Sequence, residues 1–161
     1  MTTITYREAV ARGIAQEMRA DPSVVFLGED VASAGGVFKA TVGLAEEFGP
    51  TRVRDTPISE QAIVGAAMGA AMTGLRPIAE IMFSDFFAVC WDLIANEMAK
   101  SRYMSDGQLT LPLVVRCANG AYPPTPLRVE AASSDLGAFD ATIGGCGNPP
   151  AALVVVERTS R

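Results

Sequence analysis

Apolar residues near the start of the chain recur at helical spacing. Residues 5–20 place an apolar side chain at every fourth position from Tyr6 to Met18, which predicts one face of a helix. Asp21-Pro22 cannot continue that helix, because proline lacks the N–H group and clashes with the preceding turn. The run Val24-Val25-Phe26-Leu27, which ends at Gly28, is typical of a short buried strand.

The same alternation of helical and extended patterns continues along the chain. Ser59 is a plausible N-cap for the most helix-like stretch, residues 60–73, which ends at Gly74. The other predicted elements are short helices or β-branched runs: a helix over Thr41–Phe48, an extended segment over Arg52–Asp55, strands at Ile78–Phe83, Leu113–Val115 and Ala152–Val156, and an amphipathic helix over Phe86–Tyr103 with Val89, Leu93 and Met98 among its apolar positions. This alternation predicts an α/β fold, a mainly parallel sheet flanked by helices.

The character of the sequence changes after Asn119-Gly120. Prolines and glycines become frequent and the apolar periodicity weakens, which is typical of loop. We therefore predict one domain over residues 1–120 and a divergent tail over residues 121–161. The abrupt change leads us to expect a truncated or frame-disrupted gene, or a deliberately shortened chain.

Composition limits the classes of function. The 161 residues are 49% hydrophobic, enough for one core, and 18 acidic against 13 basic side chains give a net charge of -5, which argues against a nucleic-acid partner. The start of the chain lacks an export signal, and no stretch approaches about 18 uninterrupted apolar residues. We therefore expect a protein that does not enter a membrane. The three cysteines have no C-x-x-C spacing, which argues against a disulfide framework and favours a reduced, cytoplasmic setting.

The chain contains no histidine, which removes the most frequent general base and metal ligand. Chemistry must then depend on carboxylates or on a cofactor, and we predict no metal site on this chain. Glu60, in the first turn of the predicted helix, has two interpretations. It is either an acid that satisfies free backbone amides and the helix dipole, or a buried acid that shares a proton with a ring nitrogen.

Glycines interrupt that same helix. Gly65-Ala66-Ala67-Met68-Gly69 leaves one face nearly without side chains, so another backbone can approach closely. Each glycine inside a helix costs about 1 kcal/mol relative to alanine. A tight contact within the chain is the more frequent explanation by residue type, and a subunit interface is the alternative.

These residues lie in a recognisable string. The chain reads DTPISEQAIVGAAMGAAMTGLRPIAEIMFSDFF, with LGEDV before it and RYMSDGQLTLPLVVR after it. The string resembles the β subunit of the E1 component of thiamine-diphosphate-dependent 2-oxo acid dehydrogenases, those for pyruvate, branched-chain 2-oxo acids and acetoin. The resemblance implies the pyrimidine-binding domain of a transketolase-like fold and an oxidoreductase that decarboxylates its substrate and transfers the acyl group to lipoyl groups.

The resemblance also implies roles for four residues. Glu60 matches the glutamate that holds a proton against N1′ of the cofactor's aminopyrimidine, so that the 4′ nitrogen can take the proton from C2 of the thiazolium. Glu29 matches a second acidic position near the cofactor. Met82 and Phe86 match positions that line the aminopyrimidine, although isolated residues of these types more often belong to a core.

An assembly follows from the same resemblance. Gly65 and Gly69 match a glycine-containing helix at the subunit interface, which implies an α₂β₂ heterotetramer with an active site between an α and a β subunit. The α subunit is expected to bind the diphosphate and its Mg²⁺ through a Gly-Asp-Gly motif that this chain lacks. A lipoyl-bearing E2 component and a small 2-oxo acid complete the expected partners.

The chain also departs from the family. The family's β subunits carry a second domain and a His-Ser pair after the Asn-Gly turn, whereas this chain continues as Ala121-Tyr122-Pro123-Pro124 and has no histidine. A catalytically defective remnant that acts as a subunit-interaction module is therefore the second hypothesis. The third is a single-chain synthase or transketolase, which the start at Met1, directly before the first helix, disfavours.

Overall fold

The computed structural model describes residues 4–118 and 152–156. Helix α1 spans Tyr6–Ala20 and begins with a capping box, in which the Glu8 carboxylate accepts from the Thr5 N–H at 2.7 Å. The elements that follow are β1 (Val24–Gly28), α2 (Leu44–Phe48), β2 (Val53–Asp55), α3 (Glu60–Met72), β3 (Arg76–Phe83), a 3₁₀ helix (Ser84–Val89), a π-helix (Leu93–Met98), α4 (Ala99–Met104), β4 (Leu113–Ala118) and β5 (Ala152–Val156).

The strands form one sheet in the order β2-β1-β3-β4-β5. The first four are parallel to one another, and β5 pairs with β4 in the antiparallel direction. The predicted α/β fold with a mainly parallel sheet is thus confirmed, including the strand at Ala152–Val156. Parallel strands buried on both faces explain why β1 and β4 appear in the sequence as continuous apolar runs.

Each face of the sheet has its own core. Val24 and Phe26 of β1 pack with Ile14 and Met18 of α1 on one face. Ala79 and Ile81 of β3 pack on the other face with α3, the π-helix and β4. The connection between β1 and β2 therefore lies on one face, and the connections before and after β3 lie on the other.

The predicted helix over Phe86–Tyr103 is wrong in its first part. Residues Ser84–Val89 form a 3₁₀ helix, and the backbone of Cys90, with φ -119° and ψ 20°, interrupts the helical path. Met98 is buried as predicted, but the other buried positions are Cys90 and Ile94, each one residue after the predicted Val89 and Leu93, and Val89 remains 59% exposed. Periodicity predicted the helix but not its start, because the 3₁₀ turn after β3 buries Phe87 while leaving the apolar residues Phe86 and Val89 exposed.

Two other predictions concern the tail and the absence of a membrane span. The tail over residues 121–161 lies outside the described residues apart from β5, so the boundary at residue 120 remains a prediction. Within the described ranges, the helices are too short or too polar to cross a membrane.

Candidate functional site

The strand order creates a crevice at one edge of the sheet. After β1 the chain moves towards β2, and after β3 it moves towards β4, so the connections from these neighbouring strands diverge. In open α/β sheets, ligands bind at the carboxyl ends of the strands where the order reverses in this way. Glu29 directly follows β1, and Phe83 ends β3.

The two strands are unusually close at this edge. A Cβ atom on Gly28 would lie 2.7 Å from the Cβ and 2.9 Å from the carbonyl oxygen of Glu80, so only glycine fits. The Glu80 carboxylate in turn forms a buried ion pair with Arg116, its neighbour on β4. Burial raises the pKa of Glu80, and the Arg116 charge opposes that rise. This packing fixes the backbone from which Glu29 extends.

Helix α3 begins beside the same edge. The Thr56 N–H donates to the Gly28 carbonyl at 3.0 Å, which ties the segment after β2 to the end of β1. The Ser59 hydroxyl caps the helix by accepting from the Ala62 N–H at 3.4 Å, as its position predicts. Glu60, the first residue of α3, is only 7% exposed.

The structure brings Glu29 and Glu60 together from different elements. Glu29 is 8% exposed, and burial, followed by the charges of Glu60 and Asp30, raises the pKa of its carboxyl group. Among the described residues, Glu29 Oε1 and Thr56 Oγ1 are buried oxygens without a hydrogen-bond partner. Unsatisfied buried oxygens are rare in folded chains, and each of these two can accept a hydrogen bond from a ligand or from a water molecule.

A cysteine that sequence reasoning missed lies beside them. Cys90 is buried, and burial together with the Glu60 charge raises the pKa of its thiol to about 11. The thiol is therefore protonated and inert at neutral pH. A lone cysteine thirty positions after Glu60 carries no sequence pattern that predicts this contact.

The loop after β1 is held to the sheet by specific hydrogen bonds. The Asp55 carboxylate accepts from the Ala32 N–H at 2.7 Å and the Ser33 N–H at 3.0 Å. The Thr41 hydroxyl donates to the Val31 carbonyl at 2.9 Å. These bonds fix both ends of the turn that carries Phe38.

Three aromatic rings lie in contact near the carboxyl end of β3. Phe86, a predicted cofactor contact, lies in the 3₁₀ helix after β3 and is 38% exposed. Its ring meets Phe83 edge-on, with centroids 5.7 Å apart, and Phe83 meets Phe38 in the same way at 5.7 Å. Met82 is half-buried at the irregularity between Ile81 and Phe83, where the pairing of β3 with β4 shifts.

The glycines of α3 have little to do with packing inside the described chain. A Cβ on Gly65 would lie 3.7 Å from Leu93 Cδ1, an ordinary contact, and a Cβ on Gly69 would meet nothing within 4 Å. The explanation by a tight contact within the chain therefore does not apply to Gly69 among the described residues. The subunit interface predicted for these glycines remains a prediction.

Comparisons with known proteins identify the family of the domain. The model of the family described as transketolase, pyrimidine binding domain, matches residues 2–126. The chain is 48% identical over 120 residues to the 2-oxoisovalerate dehydrogenase subunit beta of Bacillus subtilis, which covers 74% of this chain and 37% of that protein. It is 50% identical over 121 residues to the pyruvate dehydrogenase E1 component subunit beta of Rhizobium meliloti, covering 75% of this chain and 26% of that protein.

A third relative is named for acetoin. The chain is 47% identical over 130 residues to the subunit beta of an acetoin:2,6-dichlorophenolindophenol oxidoreductase of Bacillus subtilis, covering 73% of this chain and 38% of that protein. Among solved structures, a split-gene transketolase described as an inactive β4 tetramer superposes with a TM-score of 0.54 at 24% identity, covering 70% of this chain and 33% of that one. That structure supports the fold. The chain spans well under half the length of each of these proteins.

Proposed function

Because the chain belongs to the family of transketolase pyrimidine-binding domains, we propose that it provides the pyrimidine-binding half of a thiamine-diphosphate site. The enzyme to which it contributes is a 2-oxo acid or acetoin dehydrogenase of the E1 β type. Its reaction is oxidative decarboxylation followed by acyl transfer to lipoyl groups. The names of the three relatives support this choice of enzyme.

The observation that carries the proposal is the pair of buried carboxylates. A glutamate that only complements a helix dipole remains solvated in the first turn, whereas Glu60 is 7% exposed and Ser59 already caps the helix. Glu29 has an unpartnered buried oxygen and a raised pKa. Burial and the neighbouring negative charge both make the proton of Glu29 harder to lose than that of a solvated carboxyl group.

The residues present fit an aminopyrimidine. A ring nitrogen can accept a proton that Glu60 holds, and an exocyclic amine can donate to a buried oxygen such as that of Glu29 or Thr56. The Phe86 ring and the Met82 thioether suit the faces of a flat heterocycle. When bound, thiamine diphosphate supplies a nucleophilic carbon and an electron sink for the decarboxylation.

Glu60 is the proposed catalytic residue. It holds a proton at the ring nitrogen, and that proton sets the basicity of the amine on the opposite side of the ring. Glu29 is a second carboxyl group close to Glu60. Burial excludes bulk water, which would otherwise weaken the interaction of the Glu60 carboxyl group with the ring. Met82 and Phe86 orient the ring without taking part in proton transfer.

The rest of the site requires partners. We propose that an E1 α subunit binds the diphosphate and Mg²⁺, and that the small-residue face of α3 around Gly65 and Gly69 packs against a second β subunit in an α₂β₂ assembly. A lipoyl-bearing E2 component then receives the acyl group. The free, buried thiols of Cys90 and Cys117 fit the proposed cytoplasmic setting.

Reconstitution tests the proposal against its alternative, a defective remnant that acts as an interaction module. The chain is mixed with its cognate α subunit, thiamine diphosphate and Mg²⁺, and decarboxylation of a 2-oxo acid is followed with an artificial electron acceptor while size-exclusion chromatography reports association. Turnover supports the E1 role. Stable association without turnover supports the remnant, and neither association nor turnover contradicts both.

A further inference from the structure

Three phenylalanine rings connect the loop after β1 to the edge of the proposed pyrimidine site. Phe38 contacts Phe83, and Phe83 contacts Phe86, each pair with centroids 5.7 Å apart and an interplanar angle of 88°. Phe83 is half-buried between two rings that are 36% and 38% exposed. None of the three belongs to either hydrophobic core of the described chain. Core packing therefore does not explain them.

The backbone presents Phe38 from a tight turn. The Lys39 N–H donates to the Gly36 carbonyl at 3.0 Å, and Gly36 and Lys39 both have positive φ, 75° and 57°. Such a conformation is costly for a residue other than glycine and persists only where the surroundings enforce it. The Lys39 ammonium group donates to the Ala34 carbonyl at 2.6 Å, and this hydrogen bond helps to hold the backbone of the turn in that conformation. The turn is thus a fixed base for the Phe38 ring.

Edge-to-face contacts restrict the rotation of the rings that make them. An exposed ring such as Phe86 has no other described aromatic contact than Phe83, so the plane that it offers to a ligand depends on how Phe83 is held. Phe83 is held in turn by Phe38. A flat ligand gains full stacking energy only against a ring whose plane is already set, because ordering it during binding costs free energy.

We propose that Phe38, acting through Phe83, fixes the ring of Phe86 in the plane that receives the aminopyrimidine. Phe38 and Phe83 are then positioning residues, and Phe86 is the contact. This inference rests on the proposed function. The loop after β1 thereby contributes to the affinity of the site for the aminopyrimidine, although Phe38 itself does not contact the ligand.

The test measures binding of the isolated aminopyrimidine fragment of thiamine to the full chain by a ligand-observed NMR titration. Phe38→Leu and Phe38→Met remove the ring while keeping apolar bulk, and both are expected to weaken binding about three- to tenfold, the loss that corresponds to one edge-to-face pair. Phe38→Tyr keeps the ring and is expected to bind like the wild type. Val37→Ala, at the neighbouring exposed position of the same turn, is the matched control and is also expected to be unchanged.

A double-mutant cycle separates positioning through Phe83 from a local effect. If Phe38 acts through Phe83, then Phe38→Leu has no further effect on binding in a Phe83→Leu background. Full affinity in both Phe38→Leu and Phe38→Met, or additive losses in the cycle, overturns the inference and leaves the proposed function standing. If the wild-type chain does not bind the fragment at all, the proposed function fails and the inference falls with it.

Discussion

Burial, and after it the charge of Glu60, raises the pKa of Glu29, although the two residues are thirty-one positions apart, one after β1 and the other at the start of α3. The contact exists because β1 and β2 are adjacent and parallel, so the loop after β1 and the start of α3 meet at one edge of the sheet. Two acids that would repel each other in the open are thus held in one buried place.

The raised pKa of Glu29 makes stability depend on pH. Because the folded chain holds this proton more tightly than the unfolded chain, the folded state loses stability as the pH rises from about 4.5 through the raised folded pKa. Glu29→Gln removes this loss. We therefore expect the variant to be more stable than the wild type at neutral pH, with the difference vanishing below about pH 4. Urea unfolding followed across that pH range measures it.

Glu46→Gln is the matched control, because Glu46 lies in α2 and, unlike Glu29, is exposed to solvent. Its stability is expected to follow that of the wild type at every pH. A Glu29→Gln chain that is less stable than the wild type at neutral pH would show that partners stabilise the ionised carboxylate, and it would contradict the raised pKa of Glu29.

The thiol of Cys90 gives an independent measure of how near Glu60 lies. A pKa of about 11 instead of 9.0 reduces the thiolate fraction about 100-fold near pH 8, so alkylation of Cys90 is expected to be slow in the folded chain. Glu60→Gln removes one cause of the raised pKa and is expected to speed that alkylation. Mass spectrometry of iodoacetamide-treated chains in a Cys146→Ser background resolves the individual sites.

Cys117 is the internal control in the same experiment. Its pKa is raised to about 12, chiefly by burial, and Glu60 is not among the causes. Its alkylation rate is therefore expected to be the same in both chains. Equal rates at Cys90 with and without the Glu60 charge would contradict the closeness of Glu60 to the Cys90 thiol.

Two substitutions of Gly69, the exposed glycine of α3, test its effect on stability and its part in subunit assembly separately. Gly69→Ala meets no neighbour within 4 Å, and replacing a helical glycine by alanine is expected to raise the free energy of unfolding by about 1 kcal/mol. Gly69→Leu is also expected to fold, but its bulk blocks close approach of another helix. Chemical unfolding and analytical ultracentrifugation with the α subunit measure the two effects. Unimpaired assembly of Gly69→Leu would remove Gly69 from the proposed interface.

Local pattern sufficed for much of the fold. The proline after Asp21, the β-branched run of β1 and the Ser59 cap each act within a few residues, and all three elements were predicted with nearly the observed limits. The start of the helix after β3 was misplaced because apolar residues occupy neighbouring positions there, Val89 beside Cys90 and Leu93 beside Ile94. Only the sheet decides between them, since it buries Cys90 and leaves Val89 exposed.

The site was predictable only in part. Glu60 was singled out by its place in the first turn of the predicted helix, whereas Glu29 was identified only through resemblance to a family. Strand order brings the two together, and residue spacing does not reveal strand order. The contact of Phe38 with Phe83 and the pairing of Glu80 with Arg116 depend on long-range register in the same way. No local pattern distinguishes these residues from ordinary core or surface positions.

The most direct test of the central claim is the turnover of Glu60→Gln in the reconstituted complex with the α subunit, thiamine diphosphate and Mg²⁺. Glutamine keeps the shape of the side chain but cannot exchange a proton, so decarboxylation is expected to fall about 100- to 10,000-fold, while Glu46→Gln retains wild-type turnover. Unchanged turnover in Glu60→Gln, measured with association intact, would contradict the assignment of Glu60 as the proton-sharing acid.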